Sequence, residues 1–556
     1  MKTTMRGKLA AVIAAAGLVL TGCGGDGGDA GAGIDHSQVA DYNPMERDQI
    51  KDGGELNLAL RELSEQQNTF HADGTRYTKD VWRLYNPVLA TFTPEGEYAP
   101  NPAYITDVKD DSNDDRTVVT FTINDKATYN DGTPIDWRAF ENTWKFNNGT
   151  NGDVVPNSTD GYELIESVTA GDNDKQAVVT FSQPWPWWKG LFNELVPPQV
   201  KDAKTFNEAY LKKLHPEWGA GPFTVENVDF QKGEVSFVRN DKWWGEPAKL
   251  DRVSLRYMED QASLNAFRNG EIDATGVGTA DRLATARQMG DAIEIRNGRE
   301  ASTNLYVLNA DAPLLGDAKV REAIMRGIDR KQLADIRFQG LDYEENAPGS
   351  FTLFESQEGY EDNFGEVVQF DPEKAASLLD EAGWTAGQDG IREKDGEKLT
   401  VRYPLLGDDP TQKGLTQALQ AMMKGIGVDL QIEERPSSDF SRIMMEKDFD
   451  LIGMGFSSSD PYGVAYFGQI YGSDSELNKS GTGTPEFDKK IEELQKLPTA
   501  EEQIARANEL EKEAFHLYGI MPSMTRPQIS AVKPGLANYG PMMFGVIPWE
   551  NVGWAK

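Results

Sequence analysis

Residues 399–456 decide the fold class, and they read LTVRYPLLGDDPTQKGLTQALQAMMKGIGVDLQIEERPSSDFSRIMMEKDFDLIGMGF. Three apolar, β-branched runs in this stretch predict strands, at 399–405, 428–432 and 451–456. Apolar residues at helical spacing around Leu419 predict a helix between the first two strands, and a shorter helix precedes the third. Strands that alternate with helices are typical of βαβ units. The sequence therefore predicts an α/β protein with a largely parallel sheet in this region.

The chain before this stretch is richer in strands, and the chain after it ends in a long helix. Alternating apolar and polar residues, bounded by Gly, Asn or Asp, predict further strands at 55–60, 117–123, 177–181, 234–238 and 253–257. Asp371 followed by Pro372 is a strong signal for a helix N-terminus. An apolar stripe predicts a helix over about 500–518. The pattern indicates a mixed α/β body rather than a bundle or a sandwich.

The N-terminus has the layout of a bacterial secretion signal. Three basic residues precede an apolar run at 9–20, which is too short to span a bilayer as a mature helix. The run ends in Leu20-Thr21-Gly22-Cys23, which resembles the lipobox of lipoproteins, and Cys23 is the only cysteine in the chain. We therefore expect residues 1–22 to be a signal peptide and Cys23 to carry a lipid anchor. Residues 23–54 are rich in Gly and Asp, and we expect a flexible tether there.

Composition limits the possible functions. The 500 or so residues after the tether are too many for one core, so we expect two or three lobes. The net charge of −34 argues against nucleic acid as a partner. The four histidines of the chain are scattered, and its single thiol is assigned to lipid. The chain has no His-Glu-x-x-His, Gly-x-Ser-x-Gly or phosphate-loop motif. We therefore expect neither an enzyme nor a resident metal or cofactor.

Five blocks, in the order and spacing of a known family, run along the chain. They lie at 121–147 (with Asp-Gly-Thr-Pro at 131–134), 221–273 (ending Asn-Gly-Glu-Ile-Asp), 320–330, 371–384 and 425–432. Together they resemble the extracytoplasmic solute-binding proteins of ABC importers, of the large dipeptide/oligopeptide/nickel type. The resemblance implies a periplasmic-binding-protein-like fold of type II, with two hinged lobes and an extra domain inserted in the N-terminal lobe. The expected segments are 55–66, 196–300 and 515–556 for lobe one, 67–195 for the inserted domain and 301–514 for lobe two.

The same resemblance implies a function and partners. Such a protein captures an oligopeptide between its lobes and delivers it to ABC permease subunits. We expect a monomer, anchored by lipid to the outer face of the bacterial cytoplasmic membrane. On the same fold, haem, a metal chelate or an oligosaccharide is the alternative ligand. A surface adhesin or receptor without a transport role is the alternative of another class.

In peptide-binding members of the family, a strand adds main-chain hydrogen bonds to the ligand, and a following aspartate binds the ligand's α-ammonium. The matching strand here is 451–456, so the expected contacts are Met454, Gly455, Phe456 and the Ser457-Ser458 pair after it. The position of the family's aspartate is Ser457, and the nearest acid is Asp460. Asp460 either reaches the ammonium from a shifted loop or is a turn residue before Pro461.

Three more residues are candidates outside that strand. Glu65 and Gln67 follow the first strand, where the family places ligand contacts, although a solvated polar loop explains them equally well. Trp187 lies in the aromatic cluster at 185–188, which serves either as a wall for the ligand or as packing.

Overall fold

The computed structural model describes residues 39–341, 343–458, 460–525 and 527–556. The predicted signal peptide at 1–22 and the predicted lipid anchor Cys23 lie outside the described residues.

The largest sheet has seven strands drawn from both ends of the chain. In spatial order they are Glu294–Arg299, Pro527–Val532, Ala274–Gly276, Glu55–Leu60, Arg252–Tyr257, Glu234–Arg239 and Phe223–Asp229. The central strand Glu55–Leu60 pairs in parallel with Arg252–Tyr257, and most other pairs are antiparallel. Its alternating pattern buries Leu56, Leu58 and Leu60 in one apolar core. The predicted strands in this sheet are confirmed to within one residue.

A second sheet has three strands, in the order Leu451–Ser457, Ser302–Leu308, Ile520–Met524, and both pairings are antiparallel. Next to it, Thr400–Leu406 and Asp429–Arg435 form a separate parallel pair. The predicted βαβ unit is therefore confirmed for the first two strands of the opening stretch. The prediction of a largely parallel sheet is wrong for the third strand of that stretch. Leu451–Ser457 pairs in antiparallel with a strand about 150 residues earlier, and local periodicity cannot reveal such a distant partner.

A third sheet lies within residues 67–195 and has four antiparallel strands. Their order is Ile105–Asp110, Val118–Ile123, Gln176–Phe181, Ile165–Ala170. Its inner residues, among them Phe121 and Phe181, pack under the helix Trp137–Asn147. Short strands complete the set: Ala90–Phe92 with Tyr98–Pro100, Leu536–Ala537 with Gly553–Trp554, and Thr385–Ala386, Arg392–Lys394 and Glu397–Lys398.

The described residues contain fourteen α-helices: Arg76–Tyr85, Trp137–Asn147, Ala203–Glu208, Asp260–Arg268, Ala280–Arg287, Ala318–Arg326, Arg330–Phe338, Asn363–Val367, Pro372–Glu381, Pro410–Gly425, Phe440–Glu446, Phe467–Tyr471, Pro485–Gln495 and Ala500–Phe515. The predicted start at Asp371 is confirmed, because its carboxylate accepts from the backbone N–H of Lys374 at 2.8 Å. The predicted long helix ends at Phe515 rather than at 518.

Residues 39–54 correct the predicted tether. Ile50 is fully buried and bridges to Ala555, and the Lys51 N–H donates to the Trp554 carbonyl at 2.7 Å. The Asp41 N–H donates to the Pro541 carbonyl. The segment looks unstructured by composition, but it pairs with residues about 500 positions later in the chain.

The lobe boundaries stay a prediction. One observation bears on the boundary at 515: strand Ile520–Met524, which that boundary assigns to lobe one, pairs with Ser302–Leu308 of predicted lobe two. The next strand, Pro527–Val532, lies in the seven-stranded sheet.

Candidate functional site

A cavity of about 120 Å³ lies where residues of the predicted inserted domain and of predicted lobe two face each other. Helix Arg76–Tyr85 and residues 190–194 line it on one side, and residues of 456–458 and 460–470 on the other. Val546, near the C-terminus, also reaches it. Pockets for drug-sized ligands measure roughly 300–1,000 Å³. This cavity is therefore too small for a peptide, which would require the two sides to separate.

The strand Leu451–Ser457 runs into this cavity along the edge of its sheet. It pairs along one side with Ser302–Leu308. Thr400–Leu406 lies close to its first residues, where the Asp450 N–H donates to the Arg402 carbonyl at 3.3 Å, but no second strand of the described residues forms a ladder with it. Phe456, Ser457 and Ser458 line the cavity. Gly455 is exposed, so bare backbone is accessible just before the cavity. Such an edge can accept an added strand through main-chain hydrogen bonds.

Asp460 lies in the cavity wall, and its own loop already uses both carboxylate oxygens. It is only 2% exposed. Oδ1 accepts from the Tyr462 N–H at 2.9 Å, and Oδ2 accepts from the Tyr466 hydroxyl at 2.6 Å. Burial raises the pKa of this carboxyl above its ordinary value. The hydrogen bond to the residue two positions later is that of an Asx turn, so the geometry favours a turn role.

Two cations of helix Arg76–Tyr85, Lys79 and Arg83, line the cavity on the side opposite Asp460. The Arg83 Nε donates to Glu194 Oε1 at 2.8 Å, and Lys79 Nζ lies 3.8 Å from Glu194 Oε2. Burial alone would raise the pKa of Glu194, but Lys79 and Arg83 together hold it below its ordinary value. Both cations also stabilise ionised Asp460 across the cavity. The sequence interpretation missed all three of these charged residues.

Hydrogen bonds join the two sides of the cavity around Asp160, which lines it. Asp160 Oδ2 accepts from the Gln469 N–H at 2.7 Å, and Oδ1 accepts from Gln495 Nε2 at 2.8 Å. The Gln183 amide donates to the Gln495 carbonyl at 2.6 Å. Asp160 is almost fully buried, and burial, with a smaller contribution from Glu163, raises its pKa to about 7.

The other predicted residues lie outside the lining of this cavity. Glu65 is exposed and forms an ion pair with Lys212 at 2.7 Å. Gln67 is buried, and its amide donates to the Ser64 carbonyl at 2.6 Å. Trp187 packs against Tyr462 and donates from its indole N–H to Gln503 Oε1 at 2.7 Å. Met454 and Gly455 lie earlier on the strand. Ligand contact by these residues stays a prediction.

A second cavity, of about 190 Å³, is lined by residues that include Thr303 and Thr525. Glu345 is one of the acids of its wall and accepts from the Thr525 hydroxyl at 2.6 Å and from the Tyr343 hydroxyl at 2.8 Å. Burial raises the pKa of Glu345 to about 7.

None of the helices in residues 39–341, 343–458, 460–525 and 527–556 is both long and apolar enough to span a bilayer. The same residues contain no group of three or more His, Cys, Asp or Glu side chains arranged to hold a metal ion.

One sequence signal could have identified the missed cations. Lys79 and Arg83 are four residues apart in a helix whose other face carries Val81, Trp82 and Tyr85. Like charges at this spacing destabilise a helix. Such a pair, on a chain with net charge −34, points to a local role for positive charge.

Comparison with known proteins places the chain in a family. The chain belongs to the bacterial extracellular solute-binding proteins, family 5, whose "Middle" model matches residues 95–478. It is 32% identical over 555 residues to the oligopeptide-binding protein OppA of Mycobacterium tuberculosis, an alignment that covers 97% of this chain and 92% of that protein. The family resemblance predicted from the five sequence blocks is confirmed.

Solved structures show the fold. The periplasmic EDTA-binding protein EppA superposes with a TM-score of 0.78 at 24% identity, over 92% of this chain and 98% of its own. AppA from Bacillus subtilis, solved in complex with a nonapeptide, gives a TM-score of 0.76 at 18% identity, over 91% and 100%. The fold is that of the type II periplasmic binding proteins, with mixed α/β lobes, and the predicted fold class is confirmed.

Proposed function

We propose that this chain is the substrate-binding component of an ABC importer and that it captures an extended oligopeptide between two lobes. The observation that carries this proposal is the strand Leu451–Ser457. Its open edge leads directly into the cavity at Phe456, and the exposed backbone at Gly455 leaves room for an added strand. An edge strand of this kind reads a peptide's backbone independently of its side chains, which suits an importer of many peptides.

The relatives support a peptide ligand. OppA of M. tuberculosis is an oligopeptide-binding protein, and AppA was solved with a nonapeptide. We infer that the chain acts by binding alone, without covalent chemistry or a nucleotide. In this proposal Cys23 carries the lipid anchor, the protein is a monomer outside the cytoplasmic membrane, and permease subunits receive the ligand. Loss of peptide uptake on deleting the gene would separate an importer component from an adhesin.

A metal chelate is the second candidate, because two cations, Lys79 and Arg83, line the cavity and EppA binds EDTA. Chelators of that kind present several carboxylates, which suit such cations. Haem and oligosaccharides have no comparable observation in their favour within the described residues.

Isothermal titration calorimetry of the purified protein tests this proposal. We expect saturable one-to-one binding for peptides of about three to nine residues, with a negative heat-capacity change as apolar surface is buried. Fe(III)-EDTA, haem and a maltooligosaccharide serve as competing ligands in the same buffer. Saturation by one of these three, with no heat from any peptide, would contradict peptide capture.

A further inference from the structure

The cavity wall presents positive charge from one helix face. Lys79 and Arg83 lie one turn apart on helix Arg76–Tyr85, and both line the cavity. Their side chains are 28% and 22% exposed, so they are partly removed from water although they carry charge. Like charges at this spacing weaken the helix. Asp80 of the same helix and Glu194 in the cavity wall both supply counter-charge to them.

Glu194 supplies only part of that counter-charge. It accepts one hydrogen bond, from Arg83 Nε, and Lys79 Nζ is beyond hydrogen-bond distance at 3.8 Å. Among the described residues, neither the terminal nitrogens of Arg83 nor the Lys79 ammonium has another acceptor within reach. A guanidinium offers five N–H donors and an ammonium three, so most of their donors remain available.

The other acids in the cavity wall are already occupied by the chain itself. Asp460 accepts from Tyr462 and Tyr466, and Asp160 accepts from Gln469 and Gln495. The wall therefore offers cationic donors without hydrogen-bond partners among the described residues, while Asp460 and Asp160 are committed to internal hydrogen bonds. A ligand ammonium requires the opposite arrangement, in which a carboxylate has free acceptor oxygens.

We propose that Lys79 and Arg83 bind a carboxylate of the ligand, and that this contact, rather than an α-ammonium paired with Asp460, sets the position of the peptide along the edge strand. The inference rests on the proposed function and narrows its ligand class to peptides with a carboxylate at this position. Arg83 suits the role, because a guanidinium can donate two parallel hydrogen bonds to one carboxylate. The carboxylate comes either from the peptide's C-terminus or from an Asp or Glu side chain.

Calorimetry with matched forms of one binding peptide tests the inference. The forms are the free acid, the C-terminal amide, the form with acidic side chains replaced by amides, and the N-acetylated form. We expect one of the two carboxylate-blocked forms to bind about tenfold or more weakly, because it loses a charge-assisted hydrogen bond. Which form weakens identifies the source of the carboxylate. N-acetylation is expected to change the affinity by less than about twofold.

Variants of the two cations test whether Lys79 and Arg83 cause the difference in affinity between the free acid and the blocked form. Lys79→Gln and Arg83→Gln are expected to weaken the free acid to about the level of the blocked form and to leave the blocked form unchanged. Lys145→Gln is the matched control, since Lys145 is an exposed cation of helix Trp137–Asn147 paired with Glu141. Lys79→Gln keeps the Arg83–Glu194 pair, so it decides the question even if Arg83→Gln fails to fold.

Three results would overturn the inference: equal affinity of the wild type for the free acid and both blocked forms, equal weakening of all forms by the variants, or loss of binding on N-acetylation alone. In each of these cases peptides still bind, so the proposed function stands. Absence of binding by every form would contradict the proposed function and the inference with it.

Discussion

Asp460 is held by hydrogen bonds from within its own loop, and this shapes the expected effect of removing its charge. In Asp460→Asn, the oxygen that accepts from the Tyr462 N–H is retained, and the bond with Tyr466 must rearrange. We expect the free energy of unfolding to fall by about 1 kcal/mol, measured by chemical denaturation. Peptides with a free and an acetylated N-terminus should bind the variant and the wild type alike, within about threefold. Selective loss of the free-amine peptide would show that Asp460 binds the ammonium after all.

Asp160 predicts a pH dependence of stability. Burial raises its pKa to about 7 in the folded protein, above the ordinary value of 3.8. A carboxyl group with a raised folded-state pKa favours the folded state at low pH, and this contribution is lost progressively as the pH rises from about 4 to just above 7. Between pH 6 and pH 8 the loss amounts to about 1 kcal/mol.

Asp160→Asn removes that titration, so its free energy of unfolding should fall less than that of the wild type between pH 6 and pH 8. Denaturant titrations at both pH values measure the difference. Glu345, whose pKa burial also raises to about 7, titrates in both proteins and cancels in the comparison. Identical pH profiles for the two proteins would contradict a raised pKa at Asp160.

At the scale of the element, the edge strand contains two glycines with different surroundings. A Cβ at Gly453 would lie 2.5 Å from the Tyr403 hydroxyl, whereas a Cβ at Gly455 would meet nothing closer than Ser302 Oγ at 3.4 Å. The chain's own packing therefore requires glycine at 453 but not at 455. Gly455 leaves the backbone bare where a peptide would pair.

This pair of glycines makes a matched test. Gly455→Val should leave the free energy of unfolding within about 1 kcal/mol of the wild type and weaken peptide binding about tenfold or more, because the new side chain covers the accessible backbone. Gly453→Ala should instead lower stability by about 1–3 kcal/mol through overpacking. Thermal unfolding and calorimetry separate the two effects. Unchanged peptide affinity in Gly455→Val would contradict strand addition at this edge.

The strands were largely predictable from sequence, because a period of two along a half-buried strand is a local signal. Strand Glu55–Leu60 was predicted at its observed bounds, and Asp371 was predicted as a helix cap. Their partners were not predictable. Leu451–Ser457 joins Ser302–Leu308 in antiparallel pairing, a contact between distant parts of the chain that periodicity does not encode.

The same limit applies to the site. Phe456, Ser457, Ser458 and Asp460 follow a recognisable strand, and the structure brings them together at the cavity. Lys79 and Asp460 interact electrostatically only because the fold brings them to the same cavity, since about 380 residues separate them in the chain. Residues 39–54 were predicted to be part of a flexible tether, because the segment is polar and resembles a linker. In the structure this segment pairs with the C-terminal part of the chain.

At the scale of the whole molecule, the described arrangement is closed over a cavity too small for a peptide. The Gln469 N–H donates a hydrogen bond to Asp160 and the Trp187 indole N–H donates one to Gln503, and both bonds join the two sides. Both would have to break for a ligand to enter. Such contacts exchange with water at small net cost, so opening and closing by a hinge is energetically accessible.

Small-angle X-ray scattering of the protein, free and saturated with a peptide it binds, measures this motion directly. We expect the radius of gyration to fall on binding, toward the value calculated for the closed arrangement of the two sides. A radius of gyration that stays the same at saturation would contradict capture of a peptide between two closing lobes.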